Sequence, residues 1–260
     1  MRSSLALARR EIVRFFRQKS RIVGAVAPPL VMWILVGSGF RGSLRENSFG
    51  YFFPGTIVLV VLFAAIFATI SVIEDRREGF LQGVLVSPVA PASIAFGKVL
   101  GGTALGLMQG LPLLLLVPLT GLTVDGPGLL AAATLLAVLA FALTALGFAI
   151  AWSLESTQGF HAIMNLFLIP MWLLSGAFFP VEGAPSWLRA AMVVDPLTYG
   201  VAALRRALGG AAPAWMSPSL SFTVTAAFAV LMFAVAVAVV ARYPAGPAAR
   251  LAAARPPGTR

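Results

Sequence analysis

Six mostly apolar runs alternate along the chain with short polar or turn-rich breaks, at 22–40, 52–73, 96–119, 129–154, 159–178 and 220–241. Each is close to the ~20 residues that an α-helix needs to cross about 30 Å of hydrocarbon. They are too long for the strands of a membrane barrel and lack its two-residue alternation. The pattern predicts an all-α polytopic membrane protein with six transmembrane helices.

Two regions outside the runs have their own periodicity. In residues 1–21, Leu5, Ala8, Ile12, Phe15 and Phe16 fall on one arc of a helix, and Arg10, Arg14, Arg17 and Arg21 on the opposite one. This predicts an N-terminal amphipathic interfacial helix, its arginines facing anionic headgroups, that either anchors the chain or also touches a cytoplasmic partner. The long break at 179–219 is apolar enough to stay near the membrane. Pro185 can start one short helix, carrying Trp187, Leu188, Ala191 and Met192. Asp195 can cap a second, with Pro196 at its first position and Gly209-Gly210 beyond its end. Leu197, Val201, Leu204 and Leu208 make an apolar stripe there, leaving Arg205 and Arg206 on the other side. Two short outer, re-entrant-like helices before the last span read either as a lid on the outer leaflet or as a passive connector.

Composition agrees: 59% of residues are hydrophobic, 11% are charged, and mean hydropathy is +0.93. A soluble chain of 260 residues cannot bury that much apolar surface. The net charge of +10 becomes informative once the bases are located. With the N-terminus inside, 14 of the 19 Lys and Arg residues fall on cytoplasmic segments and five outside: Arg41, Arg45, Arg189, Arg205 and Arg206. The expected topology has both termini cytoplasmic in the plasma (inner) membrane, a core domain at 22–241 and a basic tail at 242–260. The surplus is an address and a docking surface, with no nucleic acid implied.

No run carries a charge at mid-membrane depth; Lys98, Glu155 and His161 sit at cytoplasmic ends. Ion-coupled carriers and charged-ring channels place ionisable groups deeper. Gly97-Lys98 is the only Gly-Lys pair, and Ala92 stands where a phosphate loop needs its first Gly. His161 is the only histidine, there is no Cys, and no catalytic constellation is visible, so neither an enzyme nor a resident metal or cofactor is expected. If the chain performs work, the energy comes from a partner.

Three further features carry information. The segment 74–88 has five charges, Glu74-Asp75-Arg76-Arg77-Glu78, then Gly79-Phe80-Leu81-Gln82-Gly83-Val84-Leu85, then Ser87-Pro88, which stops it. It is a charged loop with a satellite turn, or a short helix whose apolar side needs cover by a soluble subunit. Gly97, Gly101, Gly102, Gly106 and Gly110 let helix backbones approach, within the chain or at a dimer or lumen face. Pro28-Pro29, Pro112 and Pro118 are expected to kink their helices. Asn165 and Gln109 are expected to hydrogen-bond between helices or to line a substrate path.

In this order, 74–88 with Gly97-Lys98, Leu174-Ser-Gly-Ala-Phe-Phe-Pro180, Trp187-Leu188 and Asp195-Pro196-Leu-Thr-Tyr199 resemble the ABC-2 family of ATP-binding-cassette transporter permeases over nearly the whole chain. Phe80 departs from the family pattern, where Thr is common. The resemblance implies an exporter half that pairs with a second permease copy, identical or related, in the lipid bilayer. Two cytoplasmic ATP-binding-cassette ATPase subunits would hold the ATP and Mg. It maps ATPase coupling to Arg76, Arg77, Glu78, Gly79, Phe80, Leu81, Gln82, Val84 and Leu85. It maps outer gate helices to Trp187, Leu188, Asp195, Pro196 and Tyr199. The apolar spans favour a hydrophobic or amphipathic substrate (drug, lipid or lipid-linked glycan). The alternatives are a non-transporting membrane anchor for a cytoplasmic complex and a passive channel.

Overall fold

The computed structural model describes residues 2–16, 19–40, 47–81 and 89–242. All regular structure among them is helical. Helix α1 is Arg2–Phe16, α2 Lys19–Gly39, α3 Ser48–Arg77 and α4 Pro91–Gly110. Helix α5 is Gly126–Trp152, α6 Thr157–Trp172, α7 Ser186–Val194, α8 Pro196–Ala207 and α9 Pro218–Arg242. Six helices are long and apolar enough to span a membrane: α2, α3, α4 with its extension, α5, α6 and α9.

Helix α3 is the axis of the bundle. From Phe52 to Ile73 nearly every residue is buried, and α2, α4, α5 and α6 pack around it. Its 30 residues make a rod of about 45 Å, longer than the ~30 Å hydrocarbon core, so its charged last turn extends past the apolar zone. Helices α2 and α9 are peripheral. Val23, Val31, Ile34 and Leu35 of α2, Leu166 and Phe167 of α6, and Val230 and Leu231 of α9 are exposed, as lipid-facing side chains must be.

Short polar side chains start four of the helices, at Asp195 as the sequence suggests. Asn47, Asp125, Ser156 and Asp195 each accept a first-turn N–H at α3, α5, α6 and α8. The expected effect of proline differs by site. Helix α2 continues through Pro28-Pro29. After Gly110 the chain tightens into a ten-residue 3₁₀ segment, Leu111–Thr120, containing Pro112 and Pro118. Neither proline has an N–H for the α-helical ladder, and the tighter winding replaces it.

Helix α1 lies within the segment read as amphipathic, and its arginines are paired within the chain. Ser4, Leu7, Ala8 and Glu11 are buried and Leu5 is exposed, because α1 lies on α4. Arg10, Arg14 and Arg21 reach carboxylates of this chain. The side chains of Phe15 and Phe16, and Arg17, Gln82, Val84, Leu85, Ser87, Pro88 and 243–260, lie outside the described residues.

A correction concerns α8. Its stripe of Leu197, Val201, Leu204 and Leu208 is fully buried, as an apolar stripe should be, yet every residue from Leu197 to Arg205 is buried too. Helix α8 is wedged among α5, α9 and the end of α6, so it is part of the core and more than a lid. Arg205 is therefore inside the protein, although the sequence pattern put it opposite the apolar stripe.

Candidate functional site

At one end of the bundle the last turn of α3 meets α1 and α4 in a network of charges. Lys98 of α4 donates to Glu11 Oε1 at 2.6 Å and to Asp75 Oδ2. Arg10 forms a two-pronged pair with Asp75, both contacts 2.8 Å, and Arg14 adds a third at 2.8 Å. Arg14 also reaches Glu74 at 3.0 Å and Glu78 at 3.2 Å, and Arg21 donates to Glu74 at 2.5 Å. Four bases thus face four acids, and the network is neutral. At its centre the side chains of Lys98, Glu11 and Asp75 are 2%, 4% and 0% exposed. Charges that deep are tolerated only when paired and hydrogen-bonded, because desolvating a single ion costs several kcal/mol. The hydrogen bond from Arg10 to Asp75 outweighs burial and holds the guanidinium more firmly protonated than usual.

The segment that follows is fastened to the network. Gly79 has φ +77°, and its N–H returns to the Arg76 carbonyl at 3.2 Å, so the chain leaves α3 through a left-handed turn that favours glycine. Phe80 is partly exposed, with the Arg10 guanidinium 3.8 Å above its ring. Leu81 is 2% exposed and belongs to the main apolar core. The cover that its hydrophobicity requires comes from this chain, which leaves Phe80 as the aromatic side chain that is accessible. Arg76 donates to the Leu154 carbonyl at 3.2 Å and to that of Trp152, and Arg77 to that of Glu155 at 3.2 Å. The end of α3 is thereby tied to α1, α4 and the α5–α6 turn at once.

The five glycines of α4 all face helices of the same chain. A methyl group added to Gly97 would stand 2.8 Å from the Ser4 carbonyl oxygen, and one on Gly101 2.9 Å from Glu11 Cβ, so these two seat α1. The same addition at Gly102 meets Thr144, at Gly106 Ala140 and at Gly110 Val61, seating α4 on α5 and α3. Without this close approach Lys98 would not reach Glu11.

The opposite end holds the other motif. After Trp172 the helix widens into a π turn, Leu173–Ala177, in which Gly176 takes φ +75°. The Gly176 carbonyl accepts from Arg205 Nη2 at 2.8 Å and from the Tyr51 hydroxyl at 3.3 Å. Arg205 lies 4.3 Å above the Tyr51 ring. Trp172 Nε1 donates to the Gly55 carbonyl at 2.8 Å, fixing the turn against α3. Asp195 is buried and caps α8, Pro196 opens that helix, and Tyr199 donates to the Val193 carbonyl at 3.0 Å. Leu188 is half-buried, and Trp187 projects outward at 71% exposure.

Other expected residues are placed differently. Gln109 Nε2 donates to the Leu105 carbonyl of its own helix at 3.1 Å, and Asn165 is exposed on α6, so neither bridges helices among the described contacts. His161 is exposed, its ring beside Phe67 and Phe160. Glu11, half of the buried Lys98 pair, was missed by sequence reasoning. Its signal was present: it is the sole acid before Glu46, in a helix otherwise rich in arginine.

A family model described as ABC-2 type transporter matches residues 2–208, from α1 to the end of α8. The chain belongs to that family. Among its relatives, the putative transport permease ycf38 of Cyanophora paradoxa is 25% identical over 207 residues, covering 76% of this chain and 71% of that protein. The daunorubicin resistance ABC transporter permease protein DrrB1 of Streptomyces coeruleorubidus is 23% identical over 220 residues, 79% of this chain and 75% of that one. The linearmycin resistance permease protein LnrN of Bacillus subtilis is 27% identical over 161 residues, 61% of this chain and 41% of that one. The ABC-2 chain is thus a multi-pass membrane permease, and the match includes both the charged network and the Gly176 turn.

Proposed function

We propose that this ABC-2 permease is the membrane half of an ATP-driven exporter. It works as a pair of permeases, both termini cytoplasmic in the inner membrane, on two soluble ATPase subunits that hold ATP and Mg. The observation that carries the reading is the neutral charged network at the end of α3. It joins α1, α3 and α4 into one body directly before Gly79-Phe80, so force applied beyond Gly79 is delivered to three helices together. The spans lack a titratable group at mid-depth that could couple an ion, so the driving force enters at this end. The names of DrrB1 and LnrN refer to resistance to daunorubicin and linearmycin, which supports an amphipathic, largely apolar cargo for this chain.

The test is purification with the native ATPase subunit and measurement of vanadate-sensitive ATP hydrolysis with lipophilic candidates. Stimulation by substrate is expected. Phe80→Ala should reduce co-purification and stimulated turnover about tenfold, with the permease itself still eluting as a folded species. A stable complex with no stimulation would point to an anchor, and flux without the ATPase to a channel. Either result would overturn the exporter reading.

A further inference from the structure

At the end of the bundle opposite the charged network, a cleft of about 560 Å³ opens between the first turns of α5, the end of α8 and the start of α9. Its walls are apolar, built from Leu130, Leu135, Pro218 and Phe222 with Thr134, and its charged lining residue is Arg206. On α5 the lining runs from Pro127 to Leu135, about 12 Å of helix, which is less than the depth of one leaflet. Leu130 is 71% and Phe222 46% exposed, so the cleft opens sideways, towards the face that a bilayer covers.

The charge stands at the shallow end. Arg206 Nη2 donates to the Met216 carbonyl at 2.6 Å, two residues before α9 begins. Its Nη1 is buried and has no hydrogen-bond partner, and Arg206 makes no ion pair among the described residues. The acid closest to the cleft lining in sequence, Asp125, is engaged in capping α5 through the Gly128 N–H at 2.7 Å. The N-terminal ends of α5 and α9 also border this level, and their partial positive charge adds to that of Arg206. A half-buried cation at the shallow end of an apolar slot that takes the upper part of an acyl chain is complementary to one ligand class: a lipid with an anionic phosphate headgroup.

The geometry points to this cleft as a binding site for an anionic phospholipid of the adjacent leaflet, its phosphate on Arg206 and the upper part of one acyl chain between Leu130 and Phe222. The site rests on the membrane location of the chain alone and holds whether or not the ATPase reading does. The lipid neutralises a charge for which the described part of the chain supplies no carboxylate, and it seals the seam where α8 meets α5 and α9. It is a structural lipid, separate from the transported cargo.

Native mass spectrometry of the detergent-purified full chain, titrated with dioleoylphosphatidylglycerol or dioleoylphosphatidylcholine, tests the assignment. One phosphatidylglycerol should be retained at least tenfold more tightly than phosphatidylcholine. Arg206→Gln should bring the two lipids to parity, whereas Arg189→Gln, which removes an exposed cation outside the cleft, should leave the preference intact. Leu130→Trp, at an exposed position that tolerates bulk, should fill the slot and cut retention of both lipids about tenfold. Absence of a preference in the native chain, or equal loss with Arg189→Gln, would overturn the site. Retention that survives both Arg206→Gln and Leu130→Trp would also do so.

Discussion

Asp195 has an environment that opposes its usual charge. It is 7% exposed; one carboxyl oxygen accepts the Leu197 N–H at 2.9 Å, and the other has no hydrogen-bond partner. Burial pushes the carboxyl up to about 7, against the opposing pull of the Leu197 hydrogen bond. An aspartate in the unfolded chain titrates near 3.9, so between about pH 4 and 7 the folded chain holds a proton that the unfolded chain has released. The contribution is therefore fully present below about pH 4 and lost as pH rises to about 7, a loss of at most about 4 kcal/mol. Asparagine keeps the cap and has no charge to bury. Asp195→Asn should raise the apparent melting temperature at pH 8, with the gain shrinking steadily towards pH 4; a gain independent of pH would refute the cause assigned to it. The sequence identified Asp195 as a cap, because capping is local. Its burial was not legible, since it arises from helices far along the chain.

At the scale of elements, the positions of helices were legible and their facing was not. The periodicity of α1 separates apolar from basic positions, but headgroup phosphates and a cluster of carboxylates satisfy arginine equally well. The deciding contact, Arg10 with Asp75, spans 65 residues. Likewise the stripe on α8 was correctly read, whereas its insertion into the core depends on the π turn at Gly176, which has no periodic signature. The buried pair of Glu11 and Lys98 determines how α1 is held. Lys98→Met leaves Glu11, among the described residues, with Arg10 at 3.5 Å and should destabilise the chain by about 3–5 kcal/mol. Trypsin should then cut α1 at Arg9 or Arg14 at least tenfold faster. Adding Glu11→Gln removes the stranded charge, so the double variant should be more stable than the sum of the single losses by about 1–2 kcal/mol. Strict additivity would mean that the two side chains do not act as a pair.

For the whole molecule, the six spans were legible because the bilayer imposes a length and an apolar content that any single sequence must display. The two ends are less symmetric than composition suggests. One carries a balanced network of four acids and four bases, while Arg205 and Arg206, at the other, bond backbone carbonyls. The proposed topology puts that end in the cytoplasm, and the excess of bases over acids on the segments flanking the network supports it through the positive-inside tendency. A chain without cysteine makes this measurable with single substitutions. Ser153, exposed beside the network, and Ser186, exposed at the start of α7, lie at opposite ends. In intact cells a membrane-impermeant maleimide should label Ser186→Cys and spare Ser153→Cys until the membrane is permeabilised. The reverse pattern would invert the molecule and place Gly79-Phe80 beyond reach of any cytoplasmic ATPase, refuting orientation and coupling together. The phospholipid cleft would survive that inversion, because its chemistry depends on the bilayer surface and not on which side of the membrane it faces.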